Sequence, residues 1–277
     1  MDSIQLARSR ADHPLVGAVV DGKYCVVGFL HQGRRNDLFV AQETTRDEVR
    51  ALVLKVPHEL STETAEVLAR EAGFLQQIAH PNVVIAHDVG LDDERAYLAL
   101  DPIAGETLAE RIERSGPLDR REALEVFWQI LSAARAIHEL GIVHRDMRPR
   151  NVCLEYREGR APLVKLIDFA SAKFLRDDHP DSQREPRYPV GAHRYMAPEQ
   201  HRGETAGAAV DIYAIGMMLY AALAGELPEP GARLGDRPGV SEELEEVFAR
   251  ALAEDPAARF ETALELQDAV TRALLVG

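Results

Sequence analysis

Three charged residues stand where an apolar pattern would not place them, and each has a chemistry that could account for it. Lys55 interrupts the run Ala51-Leu52-Val53-Leu54-Lys55-Val56. An ammonium inside an apolar strand must reach water or a negative partner. It is either a solvent-facing lysine on an edge strand or a cation kept for an anion. Glu71 is the complement, lying between Leu68 and Leu75 on the apolar stripe of a helical pattern. It faces an interior that wants a cation, or it is a rim glutamate with a buried stem. Asp168 closes the apolar run Leu163-Val164-Lys165-Leu166-Ile167. A carboxylate there can ligate a hard metal ion or cap a turn.

The elements that must carry these residues follow from periodicity. Strands are expected at Tyr24–Phe29, Asp37–Gln42, Ala51–Val56, Ile85–Leu91 and Ala96–Leu100. Helical spacing runs from Ser61 to Ala79, with Leu68, Ala72, Leu75 and Ala79 on one face. A break follows at Asp101-Pro102-Ile103-Ala104-Gly105, and the chain then turns helical. Asp119–Leu140 carries Leu124, Phe127, Trp128, Leu131 and Ile137, with Gly141 as its stop signal. Val210–Ala224 is apolar on nearly every side, which predicts a buried helix. Helices at Glu242–Ala253 and Ala263–Leu275 complete the pattern, and 170–198 reads as a long loop.

The segment His144-Arg145-Asp146-Met147-Arg148-Pro149-Arg150-Asn151 joins the separate signals. It matches the four fixed positions of H-R-D-x-x-x-x-N, the kinase catalytic loop. At this point the chain resembles the eukaryotic-type Ser/Thr protein kinases, most closely their bacterial members, over residues 24–275. Other landmarks fall in order: Leu52-Val53-Leu54-Lys55 for V-A-I-K, Glu71 for its partner, Asp168-Phe169-Ala170 for D-F-G, Ala197-Pro198-Glu199 for A-P-E, then Asp211 and Arg259. The resemblance implies an α+β, two-lobed protein kinase fold, with a small β-rich N-lobe of five strands and a larger helical C-lobe. Its expected boundaries are 1–22 for a lead-in, 23–101 for the N-lobe and 102–277 for the C-lobe.

The resemblance also implies roles. Lys55 would hold the α and β phosphates of ATP, and Glu71 would orient Lys55. Asn151 and Asp168 would ligate Mg2+ (or Mn2+). Asp146 would accept the substrate hydroxyl's proton, and Arg148 would stand at the γ-phosphate. Adenine would meet Val53 and Cys153, with Leu100 as gatekeeper and Asp101 to Ile103 as hinge. Gly33 is the one glycine kept in His31-Gln32-Gly33-Arg34-Arg35-Asn36, where the family has G-x-G-x-x-G. Other departures are Arg148 for a lysine, Ala192 for a threonine, Ala170 for glycine and Val53 for alanine. The stretch 168–199 has no threonine. Arg145 could dock a phosphate on Ser182, or the Asp177-Asp178 pair could replace one.

Composition narrows the remaining classes. A formal net charge of −14 lacks the basic footprint of a nucleic-acid binder. Two cysteines, Cys25 and Cys153, have no metal-type spacing and build no disulfide framework. No signal core or membrane segment is read in this chain, so a cytoplasmic protein is expected. Three activities are weighed. One is an ATP-dependent Ser/Thr protein kinase with weakened catalysis, acting on an unknown protein substrate. The second is a pseudokinase, a nucleotide-binding module that signals through a partner. The third is a small-molecule kinase, against which the A-P-E, Asp211 and Arg259 set argues. The absence of G-x-x-x-x-G-K-[ST] excludes a P-loop NTPase.

Overall fold

The computed structural model describes residues 12–45, 49–92, 95–175, 192–204, 207–228 and 241–276, without the side chains of 192, 193 and 276. The expectations placed on Asp177, Asp178, Ser182 and the side chain of Ala192 lie outside what is described. The chain divides into two compact units, Met1–Ala79 with Val84–Gly105, and His80–Val83 with Glu106–Gly277.

The first unit is built on a six-stranded sheet. Its strands are β1 (Val19–Val20), β2 (Tyr24–Gln32), β3 (Asn36–Glu43), β4 (Arg50–Pro57), β5 (Ala86–Leu91) and β6 (Ala96–Leu100). They run in the order β1-β2-β3-β4-β6-β5, every pair antiparallel. Five strands were expected, and β1 is the addition. Two residues are too few to show a period of two, so its pairing with Tyr24 and Cys25 leaves no trace in the pattern. Leu15 and Val20 pack into a core with Tyr24, Val26, Phe39, Leu52, Leu54 and Tyr97. Within the stretch read as a lead-in, residues 15–20 therefore belong to this unit's core and sheet.

Among the described residues of this unit, one helix, α1 (Thr62–Leu75), packs against the sheet. Ser61 caps it: its hydroxyl accepts from the Thr64 amide, and the Thr64 hydroxyl accepts from the Ser61 amide. It stops at Leu75, short of the expected Ala79. The amides of Gln77 and Ile78 bond three residues back, to Phe74 and Leu75. The tighter turn keeps Ile78 inside and leaves Ala79 exposed.

The second unit is mostly helical. Its helices are α2 (Leu108–Ser115), α3 (Arg120–Glu139), α4 (Pro198–His201), α5 (Ala209–Ala224), α6 (Glu242–Ala251) and α7 (Ala263–Val276). Short strands β7 (Gly105–Thr107), β9 (Val152–Glu155) and β10 (Leu163–Leu166) form one sheet, and β8 (Ile142–Val143) pairs with β11 (Lys173–Phe174). As its apolar sequence predicts, α5 is buried on almost all sides. Gly216 of α5 faces α6 so closely that a Cβ would come 2.9 Å from that of Ala251. Trp128 departs from expectation: Phe127 and Leu131 are buried, but Trp128, at the edge of the buried face of α3, is 50% exposed. Asn82 donates to the Val164 carbonyl and to Gln129, tying 80–83 to β10 and α3. No described helix is long and apolar enough to cross a membrane.

Candidate active site

In the first unit, Lys55 sits on β4, between β3 and β6. It is opposite Leu38 on one side and Leu98 on the other. That central position removes the edge-strand reading. Its ammonium donates to both carboxylate oxygens of Glu71, at 3.0 and 2.7 Å. Glu71 lies among Leu68, Ala72, Phe74 and Leu75 on the buried face of α1. The two side chains are 9% and 1% exposed, so the pair is almost fully desolvated.

Val53 and Leu100 are directly opposite across β4 and β6, and both are buried. The backbone then leaves the sheet at Asp101, and residues 101–104 have no regular structure. Ile103 is half-buried there. Gly33 occupies the β2–β3 turn, its amide bonded to the Asn36 carbonyl at 2.9 Å. A Cβ at position 33 would collide with that same oxygen, which explains why this glycine is retained. The flanking His31, Arg34 and Arg35 are exposed.

In the second unit, Asp146, Arg148 and Asn151 come together in the loop after β8. The Asn151 amide donates to the Asp146 main-chain oxygen at 2.8 Å and to its carboxylate at 3.0 Å. Both N–H groups of the amide are thereby used, leaving its oxygen as the acceptor. Arg148 Nε lies 3.5 Å from the Asp146 carboxylate. Burial pushes the Asp146 carboxyl above its usual range, and the cation of Arg148 pulls it partly back.

Asp168 lies just beyond β10. The neighbouring Ile167 amide bonds to the Asn151 carbonyl at 3.0 Å, which links the two expected metal ligands through the backbone. Asp168 has φ 64, a left-handed conformation uncommon for a residue with a side chain. Phe169 is buried against the His144 ring, centroids 4.6 Å apart. Cys153 of β9 is partly buried, and burial raises its thiol to about 12. That thiol is inert at neutral pH and needs no redox role.

Asp211 organises the catalytic loop from a distance. Its carboxylate accepts from the amides of His144 and Arg145 at 2.9 and 2.8 Å. His138 adds a contact at 2.9 Å. Burial alone would raise this carboxyl, but the bonds from His138 and the charge of the histidines hold it below its ordinary value. Arg145 also has φ 64, and the bond from its amide to Asp211 helps hold that strained conformation. Its guanidinium donates to the Ser171 carbonyl at 2.7 Å. Glu199 and Arg259 pair at 2.6 and 2.8 Å with almost no exposure.

Sequence reasoning missed Gln200 and His138. Gln200 accepts from the Ala197 amide and donates to the Arg145 carbonyl, joining the A-P-E segment to the catalytic loop. Its position directly after A-P-E was the available signal. His138 lies on the last turn of α3, where nothing local separates it from a surface histidine.

A β-sheet unit with a buried lysine–glutamate pair and a helical unit with a buried Asp–Asn loop define a protein-kinase type of fold. A protein kinase domain model matches residues 30–269. The chain is 30% identical over 274 residues to serine/threonine-protein kinase PrkC of Bacillus subtilis, covering 91% of this chain and 41% of that protein. It is 32% identical over 268 residues to serine/threonine-protein kinase pkn3 of Myxococcus xanthus, covering 88% and 48%. It is also 30% identical over 226 residues to serine/threonine-protein kinase PknB of Mycobacterium tuberculosis, covering 73% and 35%. The chain belongs to the protein kinase domain family, and it spans less than half the length of these relatives.

Proposed function

We propose that the protein is an ATP-dependent Ser/Thr protein kinase that transfers the γ-phosphoryl group to a protein hydroxyl. The observation that carries this reading is the Lys55–Glu71 pair, 2.7 Å long and nearly desolvated. Burying two charges costs several kcal/mol per ion, and an apolar pair of similar volume would serve the fold as well or better. A cation held at that cost suits an anionic ligand, and the α and β phosphates of ATP fit it. Val53, Leu100, Asp101 and Ile103 would contact adenine on the same unit, with Cys153 as a further contact and Gly33 at the phosphates.

The donor set suits Mg2+ or Mn2+. Asp168 offers carboxylate oxygens and Asn151 its remaining amide oxygen, all hard ligands. When bound, such an ion neutralises charge on the phosphates. Asp146, its carboxyl raised by burial, would take the proton of the substrate hydroxyl. Arg148 would contact the γ-phosphate after leaving the Asp146 carboxylate.

The pseudokinase reading draws on that same ion pair, because an arginine resting on the base obstructs it. Incubation with radiolabelled ATP, with and without Mg2+ and Mn2+, separates the two. Label transferred to protein by wild type and lost in Asp146→Asn supports the kinase. Nucleotide binding with no transfer under any metal supports the pseudokinase.

A further inference from the structure

Asp37 is a buried carboxylate at the foot of the β2–β3 turn, and separate segments of the first unit meet on it. It is paired with Gln32 across the hairpin and with Val56 of β4. Its side chain is only 12% exposed. His58, just past β4, places Nε2 2.9 Å from Oδ1. His13, from the stretch before β1, places Nε2 3.5 Å from Oδ2. A carboxylate accepts, so each imidazole turns a protonated Nε2 towards it. The Leu15 amide donates to His13 Nδ1 at 3.1 Å, and that bond requires the same tautomer of His13 independently. The His13 ring is stacked on Phe29 and edge-on to Phe39, with centroids 4.9 and 4.8 Å away. Packing and hydrogen bonding thus agree on where His13 stands.

The turn above Asp37 has little else to hold it. Its Gly33 amide closes on the Asn36 carbonyl, and the His58 amide donates to the Arg35 carbonyl at 2.9 Å. The side chains of Arg34 and Arg35 are exposed. A cavity of about 400 Å3 opens beside it, lined by His13, Leu15, Asp37, Val56, His58 and Leu60 among others. An open cavity supplies no packing on that side, so the polar contacts carry the turn. His31 and Asn36 stand where glycines would let the backbone mould itself on a ligand. Such a turn contributes to binding when it is already in place. We infer that Asp37, His13 and His58 are positioning residues that brace the β2–β3 turn for the nucleotide phosphates, so that the stretch before β1 tunes how tightly the phosphates are held. The inference rests on the nucleotide-binding reading above, with Gly33 at the phosphates. Without the brace the turn is in place for only part of the time, and apparent affinity falls by that fraction. Adenosine has no phosphates, so its affinity does not register the turn.

The test is calorimetric titration with ATP and with adenosine, both in Mg2+. Wild type is expected to bind ATP more tightly. His58→Ala removes the imidazole but keeps the main-chain bond to Arg35. It is expected to weaken ATP about tenfold, as for a competent fraction near one tenth, and adenosine by about twofold at most. His58→Gln, whose amide can still donate to Asp37, recovers most of the difference. His13→Phe keeps a ring against Phe29 and Phe39 and loses the donor, so it moves the ratio the same way. It also carries the comparison if His58→Ala does not fold. An equal loss for ATP and adenosine, or an unchanged ratio, overturns the inference and leaves the kinase reading standing. If wild type binds neither ligand at millimolar concentration, the nucleotide-binding reading fails and the inference falls with it.

Discussion

Replacing Glu71 with glutamine keeps its size and removes its charge. Lys55 Nζ lies 3.0 and 2.7 Å from its two oxygens, with side chains 9% and 1% exposed. At an effective dielectric near 20 the attraction across such a pair is about 6 kcal/mol, much of it offset by desolvation. Breaking a buried pair from one side costs about 3–5 kcal/mol, because a charge is left behind. Glutamine still offers a dipolar acceptor, so the expected loss is about 3 kcal/mol. For a chain of this size that lowers Tm by roughly 6–12 °C. Lys55→Met alone is expected to cost a similar amount by stranding the carboxylate. The double variant Lys55→Met/Glu71→Leu should return to within about 1 kcal/mol of wild type or exceed it, since no buried charge remains. Urea unfolding followed by circular dichroism gives the three differences. Thermal shift with Mg-ATP then shows the double variant stable and unresponsive to nucleotide. Simple addition of the two single losses in the double variant would refute the argument. So would a Glu71→Gln loss under about 0.5 kcal/mol.

Three further outcomes follow from other parts of the site. Arg148→Lys combined with Ala192→Thr is expected to raise turnover about 10- to 100-fold, or about 1–3 kcal/mol of transition-state stabilisation, with nucleotide affinity nearly constant; steady-state labelling of a peptide substrate measures both. Burial raises the Asp146 carboxyl, so the base stays protonated to higher pH, and kcat/KM should fall on the acid side above the ordinary carboxylate range. Arg148→Met, which removes an opposing cation, should move that limb further up; a limb that does not move contradicts the assigned coupling. Cys153, its thiol raised to about 12, should resist iodoacetamide at pH 8 in the native protein and react once urea unfolds it; mass spectrometry of its peptide distinguishes the two.

What the sequence made legible was whatever a local pattern could encode. Lys55 and Glu71 stood out because each broke an apolar period, and the structure pairs them. The catalytic loop was legible through a contiguous motif, and α5 through its uniformly apolar run. Strand β1 was not, since two residues carry no period. Trp128 was misplaced because a helical stripe gives a face but not its edge, and residue 128 falls at that edge. Asp101, just past β6, meets Arg50 and His87 across 51 and 14 positions. Arg50 and His87 are each ordinary in their own strands, and only the strand order brings them to Asp101. Gln200 and His138 escaped for the same reason.

Asp211 has a consequence for how the protein is made. The two amide bonds that hold the catalytic loop reach it across 67 and 66 residues, and the His138 contact across 73. Closing loops of that length is paid in chain entropy before any contact forms. A nascent chain emerging from its N-terminus has already supplied Asp146 and Asn151 while the carboxylate that steadies Arg145 is still unmade. Until α5 docks, Arg145 lacks two of its reasons to stay at positive φ, the accepting carboxylate and the packing behind it. The loop that carries Asp146 and Asn151 is thus among the last parts to take its folded shape. An unfinished chain therefore carries Asp146 and Asn151 in sequence before it can hold them in the folded arrangement.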